Sequence, residues 1–151
     1  MKKCKCLLLK PQQIKPKKIT GGNFKKYGWV IGWNDFKENL GPNKFRIVVR
    51  EKDPVGWRIA YLIVREKTIC KLEQHINSKE SFETVSGGRS ILYVAGGKKP
   101  KNIEAFYLDK PIVLKKGVWH GIVTLGKETH VKITENNDVD INIHELEFAL
   151  K

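Results

Sequence analysis

Disulfide chemistry, membrane spans and acidic charge are all thin in this chain. Cysteine occurs 3 times in 151 residues. Cys4 and Cys6 are too close for an ordinary bridge, and Cys70 has no evident partner, so no disulfide framework is expected. Cys4-x-Cys6 also lacks the further ligands that a metal site on it would need. No apolar run approaches the ~20 residues of a membrane-spanning helix. The stretch from Cys4 to Leu9 is too short and wrongly flanked for a secretory signal, which makes the cytoplasm the expected compartment. Asp and Glu number 16 against 29 Lys and Arg, for a net charge of +13. Such an excess attracts anions and, without specificity, nucleic acid. The lysines are dispersed, however, and aromatics do not interleave with them as a base-stacking platform requires, so no specific nucleic-acid partner is expected. A long helical period, an internal repeat and an interdomain linker are all missing.

What remains is a globular composition, 40% hydrophobic and 30% charged, at a length that predicts one domain over 1–151. Short runs rich in β-branched and aromatic residues alternate with turn residues. Candidate strands are Trp29 to Trp33, Phe45 to Val49, Trp57 to Val64, Thr68 to His75, Glu83 to Val85, Ile91 to Ala95, Ala105 to Tyr107, Ile112 to Leu114, Gly121 to Leu125, His130 to Thr134 and Ile143 to Phe148. Cys4 to Leu9 reads as an edge strand. Thr20-Gly21-Gly22-Asn23 reads as the cap of a helical turn over Phe24 to Tyr27. Asp53-Pro54-Val55-Gly56, Ala95-Gly96-Gly97-Lys98 and Asn136-Asn137-Asp138 are turns, and Ser86-Gly87-Gly88-Arg89-Ser90 reads as a hairpin turn. Many short strands with such breaks indicate a β-sandwich or barrel.

Two segments carry chemistry. The first is His75-x-Asn77-x-x-Glu80, with Gly87 beyond it; the second is Gly117-x-x-His120. Alternate side chains of a strand share a face, so His75 points with Glu73 and Asn77. Glu80 returns through a turn at Asn77 to Lys79, and His120 follows a glycine free to take an unusual backbone angle. Two imidazoles and a carboxylate suffice to hold a divalent metal ion with open positions. The same trio can work without metal as an acid–base site, since imidazole titrates near neutrality. Satisfied core histidines are the third reading, and all three stay open on the sequence. Lys115 is either a cavity amine, able to hold a carboxylate or act as a base with a lowered pKa, or a surface lysine like Lys116. Trp119 suits a pocket wall and an ordinary core equally. His130 is expected to face solvent and His144 to be structural.

These segments resemble the two half-motifs of the cupin barrel, with Asn77 where that family has a second histidine. The wider sequence is similar to the ureidoglycolate lyase family. The likeness runs through Lys18-Ile19-Thr20, Phe24 to Ile31, Leu72-Glu73-Gln74-His75, Glu80-Ser81-Phe82, Ile103-Glu104-Ala105-Phe106 and Gly117-Val118-Trp119-His120. It implies an all-β, single cupin-type double-stranded β-helix barrel, a jelly roll with short helical turns. It also implies a homodimer and cleavage of ureidoglycolate to glyoxylate and urea, a step of purine nitrogen catabolism. On that basis His75, His120 and Lys115 are the expected catalytic residues. Glu80, Asn77 and Trp119 are the expected contacts of a small carboxylate substrate, and His75, Glu80 and His120 the expected ligands of a divalent metal. Lys115 stands where the family carries an imidazole, and Glu80 where it carries a glutamine. The alternative is a non-enzymatic or unassigned cupin that binds a small carboxylate or a sugar.

Overall fold

The computed structural model describes residues 5–32 and 44–151. A 3-10 helix at Lys5–Leu8 leads into β1 (Pro11–Gln12), β2 (Lys17–Lys18), α1 (Gly21–Phe24) and β3 (Gly28–Val30). There follow β4 (Trp57–Val64), β5 (Ile69–Gln74), β6 (Glu80–Gly87), β7 (Ser90–Gly96), β8 (Lys101–Tyr107), β9 (Ile112–Leu114), β10 (Trp119–Thr124), β11 (Thr129–Asn136) and β12 (Asn142–Leu150).

The strands form two sheets, ordered β1-β12-β5-β10-β7-β8-β2 and β3-β9-β6-β11-β4. Within them β4 pairs with β11, β5 with β10, β6 with β9 and β7 with β8, all antiparallel. That nesting is one long hairpin, β4 to β7 running out and β8 to β11 running back. Its further pairings, β6 with β11 and β7 with β10, roll it into two facing sheets. This is the double-sheet jelly roll, the expected fold. It brings sequence-distant strand ends together, which is what the two half-motifs require.

Pleating decides which side chains enter the barrel. On β10, His120 and Ile122 stand opposite Val94 and Leu92, while Trp119, Gly121 and Val123 stand opposite Ala95, Tyr93 and Ile91. Leu92 and Val94 belong to the interior cluster with Phe82, Ile112, Leu114, Val131 and Ile133. Tyr93, Ala95, Trp119 and Val123 belong to a second cluster on the other side of the sheet. His120 therefore looks into the barrel and Trp119 away from it. Each fully buried aliphatic side chain contributes roughly 1.5–3 kcal/mol. α1 is a single turn that begins three residues before the expected Phe24 to Tyr27, capped by Thr20 and held by reciprocal bonds: Asn23 N donates to Thr20 Oγ1 (3.1 Å) and Thr20 N to Asn23 Oδ1 (2.9 Å). Its packing role is to deliver Phe24 edge-on to Phe106, at 5.2 Å between ring centroids.

Four expectations are corrected. Residues Lys5–Leu8 are a 3-10 helix rather than part of an edge strand, Cys4 lying outside the described residues. Phe45 to Val49 forms no ladder, although Phe45 and Ile47 are exposed and β-prone. The strand expected at Trp29 to Trp33 is β3, Gly28–Val30, with Trp33 outside the described residues. Ser86 to Ser90 is not a hairpin turn, because β6 and β7 lie in different sheets. It is the corner by which the chain crosses between them, turned at Gly87 with φ of 85°. No helix of the described residues is long and apolar enough to cross a membrane.

Candidate functional site

His75 is the first residue beyond β5, where the strand stops and the chain bends. Two contacts hold it and a third braces the facing turn. Gly117 N donates to the His75 carbonyl (2.7 Å), Gln74 Nε2 donates to the Gly117 carbonyl (2.8 Å), and His75 Nδ1 meets the Asp140 carbonyl at 2.6 Å. Asp140 also holds the bend itself, its two carboxylate oxygens accepting from Ile76 N (2.7 Å) and Asn77 N (2.8 Å). Burial works against that carboxylate, but the two backbone donors outweigh it and hold its pKa below the usual value. Gly117, on the facing turn, has φ of 81°, so the resemblance's glycine is needed for its backbone. Glu80 opens β6 and is the cross-strand neighbour of Leu114 on β9 and Glu135 on β11.

These elements bring the sequence trio together. Glu80 Oε2 is 3.3 Å from His75 Nε2 and 3.1 Å from His120 Nε2. The two imidazole centroids are 5.1 Å apart, and the Phe82 ring stands edge-on to His120 at 5.6 Å. All three residues are 6% exposed.

The hydrogen bonding sets the chemistry. His75 Nδ1 faces the Asp140 carbonyl, and His120 Nδ1 faces the Val118 carbonyl at 3.0 Å. A carbonyl only accepts, so Nδ1 of each ring carries the hydrogen. In a neutral ring Nε2 is then a lone pair, and both lone pairs converge on a carboxylate oxygen. Glu80 Oε2 is fully buried and accepts no hydrogen bond. Three acceptors facing one another in a buried space repel unless a cation, either a proton or a metal ion, joins them.

The acid–base shifts agree. Burial opposes charge on His120, yet the Glu80 carboxylate beside it overcomes this and leaves the imidazole raised. Burial likewise pushes Glu80 up, but His120 and then His75 bring it below the usual carboxylate range. Glu135 is the opposite case, raised by burial and by the charge of Glu80 despite Arg58.

Donors bound to one ion at about 2.0–2.1 Å stand about 2.8–3.0 Å apart at octahedral angles and about 3.3–3.4 Å apart at tetrahedral ones. The 3.1 and 3.3 Å separations lie within that span. Both rings also carry the backbone-carbonyl partner on their second nitrogen that metal-ligating histidines characteristically have. The residues present therefore fit a divalent metal ion. Ligand atoms of Glu73, His75 and His120 lie within 4.8 Å of one another, as do those of His75, Glu80 and Glu135.

A cavity of about 390 Å³ opens onto Glu73, Glu80 and His120 between apolar walls that include Val64, Phe82, Ile122 and Ile133, with Arg65 and Lys71 among the residues lining it. His75 is not in its lining; together with Glu80 and His120 it borders a second, narrow gap that Ser78 and Lys115 also line.

Three expected site residues point their polar groups elsewhere. Lys115 lines the narrow gap beside the trio, but its ammonium goes to the Lys25 carbonyl (2.8 Å) and over the Trp29 ring (5.6 Å). Asn77 is exposed, because the bend at 76–77 that Asp140 holds turns it away from the barrel. Trp119, 4% exposed, packs in the second cluster with Nε1 donating to the Gly97 carbonyl (2.9 Å) and its ring edge-on to His144. Two acids were missed. Glu73 was signalled by its shared face with His75, and the register places it opposite His120. Glu135 carried no local signal, since its place depends on the β6–β11 pairing. His130 is half-buried rather than free in solvent, held between Tyr61 Oη (2.7 Å) and Glu128 (2.9 Å).

No protein-family model matches the sequence, and no curated protein matches it. Among solved structures, the chain is similar to a point mutant of oxalate decarboxylase from Bacillus subtilis, at 16% identity and a TM-score of 0.44 over 61% of this chain and 24% of that one. It thus spans about a quarter of that protein's length. It is also similar to a dTDP sugar isomerase from Desulfovibrio desulfuricans, at 13% identity and a TM-score of 0.41 over 73% of this chain and 71% of that one.

Proposed function

We propose that this protein is a metal-dependent barrel enzyme of cupin type acting on a small carboxylate, and that it cleaves a carbinolamine of the ureidoglycolate kind. The observation that carries the proposal is the buried meeting of two imidazole lone pairs with the orphaned Glu80 oxygen. His75, His120 and Glu80 would hold the divalent ion. When bound, it supplies Lewis acidity toward a substrate oxygen.

The chain supplies the rest. Glu73, half-buried on the cavity wall, takes the proton from the hydroxyl of the carbinol carbon. The electron pair of that O–H bond becomes the second bond of the new carbonyl. The C–N bond breaks, its electron pair leaving on the urea nitrogen, and Glu73 returns the proton to that nitrogen. Glyoxylate and urea result with atoms and charge balanced. Lys71, exposed at the cavity lining, offers the positive charge for the substrate carboxylate that the position of Lys115 does not. The apolar walls keep bulk water from the reacting carbon.

Purified protein loaded with a divalent ion, given ureidoglycolate, is expected to release glyoxylate and urea in equal amounts, and chelation to stop the release. Metal-loaded protein that releases none removes the lyase reaction and favours the second reading, a cupin that binds a small carboxylate or sugar without turning it over. The outward Lys115 ammonium is the observation behind that second reading. A raised melting temperature with glyoxylate or a hexose, in the absence of turnover, is its expected signature.

A further inference from the structure

We infer that Glu135 is a further ligand of the ion that His75 and Glu80 would hold, which leaves Glu73 free as the base. The inference rests on the metal reading above and goes beyond its three ligands. β11 alternates cleanly, with Val131, Ile133 and Glu135 buried and the residues between them half-buried. Glu135 therefore points where two core aliphatics on its own strand point. It is the direct cross-strand partner of Glu80, and its side chain is 7% exposed. One of its oxygens lies within 4.8 Å of ligand atoms of both His75 and Glu80.

Two carboxylates buried side by side repel, and such a pair persists only where something positive joins them. Arg58 meets part of that need from one side, with Nε and Nη2 each 2.9 Å from the same oxygen, Glu135 Oε1. That grip fixes the carboxylate through one oxygen, as an outer partner does for a ligating acid. The unmet need is at Glu80 Oε2, the fully buried oxygen that accepts no hydrogen bond.

Of the two donor groups that share His75, the one with Glu80 and Glu135 is wholly buried, whereas Glu73 is half-exposed to the cavity. An entry path is present: Glu80 and Glu135 also line a second cavity of about 310 Å³ that includes Trp57 and Lys79. One imidazole and two carboxylates, with His120 Nε2 3.1 Å from Glu80 Oε2 beside them, form a borderline-to-hard donor set, suited to Mn2+, Fe2+ or Zn2+.

Mn2+ titration of chelator-treated protein, with free ion counted by its paramagnetic resonance signal, separates the roles. Glu135→Gln is expected to bind Mn2+ more than about 100-fold more weakly than the wild type, beyond the 10–100-fold that loss of an outer partner costs. Arg58→Met, which removes only the grip, is expected to fall within that 10–100-fold range. Glu73→Gln is expected to bind Mn2+ as the wild type does while releasing no glyoxylate. Gln is near-isosteric with Glu and removes a buried like charge, so metal-free Glu135→Gln is expected to melt no lower than metal-free wild type. Wild-type affinity in folded Glu135→Gln overturns the inference and leaves the metal centre standing. Should that variant not fold, wild-type affinity in Arg58→Met overturns it. Wild-type protein that takes up neither Mn2+ nor Zn2+ removes the metal centre and this ligand with it.

Discussion

Asp140 holds His75 in two ways, through its carbonyl on Nδ1 and through a carboxylate that closes the bend beyond the ring. Asp140→Ala keeps the carbonyl but frees the bend. It is expected to cost about 1–3 kcal/mol of stability in denaturant unfolding and to weaken metal uptake about 10–100-fold. Full uptake in that variant would show that the bend does not position the ring. The buried pair of Glu80 and His120 predicts a pH dependence for metal-free protein. His120 is raised on folding, so its contribution is complete below the ordinary imidazole value of 6.5 and is lost as pH rises through its folded value. Glu80 is lowered, so its contribution is complete above the ordinary 4.5 and is lost as pH falls through its folded value. The pair therefore stabilises most between 4.5 and 6.5, and His120→Gln is expected to lower stability in that window and to flatten the fall on either side of it. An unchanged curve would count against the ion pair. His75, Glu80 and His120 were legible because strand alternation and motif spacing depend on near neighbours. Lys115, Asn77 and Trp119 were not, because a bend, an exposed carbonyl and an outer-face packing decide where they point.

Turns separate the elements, and their glycines do different work. Gly117 has φ of 81° with nothing within 4 Å of where a Cβ would stand, so only backbone conformation resists substitution there. Gly117→Ala is expected to cost about 1–2 kcal/mol. Gly87 combines φ of 85° with the Glu128 carbonyl oxygen 2.6 Å from the point an alanine methyl would occupy. Gly87→Ala is therefore expected to cost more, since it adds a backbone clash to the same strain. Equal losses in thermal or denaturant unfolding would mean that the corner between the sheets yields freely. Strand positions were readable from β-branched runs: β4 and β9 fall at the expected residues, and β5, β7, β10, β11 and β12 shift by only a few. Strand partners were not readable. Gly87-Gly88 looks the same in sequence whether a chain folds back beside itself or crosses to the facing sheet. Phe45 to Val49 has the composition of a strand but no ladder, because propensity counts only where a neighbouring edge is open to it.

The whole molecule is a nested hairpin rolled into a barrel, and its function depends on what that rolling buries. Its charge of +13 is carried largely by dispersed surface groups, so nucleic acid is expected to bind only weakly and to be released by moderate salt. A tight complex preferring one sequence at physiological salt would contradict that. The interior makes the opposite demand, a cation where two imidazole lone pairs and an orphaned carboxylate oxygen meet. An ion present at 100 times its dissociation constant stabilises a fold by about 2.7 kcal/mol, or roughly 5–10 °C for a chain of this size. Titration of chelator-treated protein with Mn2+ and with Zn2+, followed by elemental analysis of the desalted complex, tests the central claim most directly. The account predicts one divalent ion per chain in the wild type, with a raised melting temperature, and none in folded His120→Ala. No uptake by folded wild type, or equal uptake by His120→Ala, would contradict it.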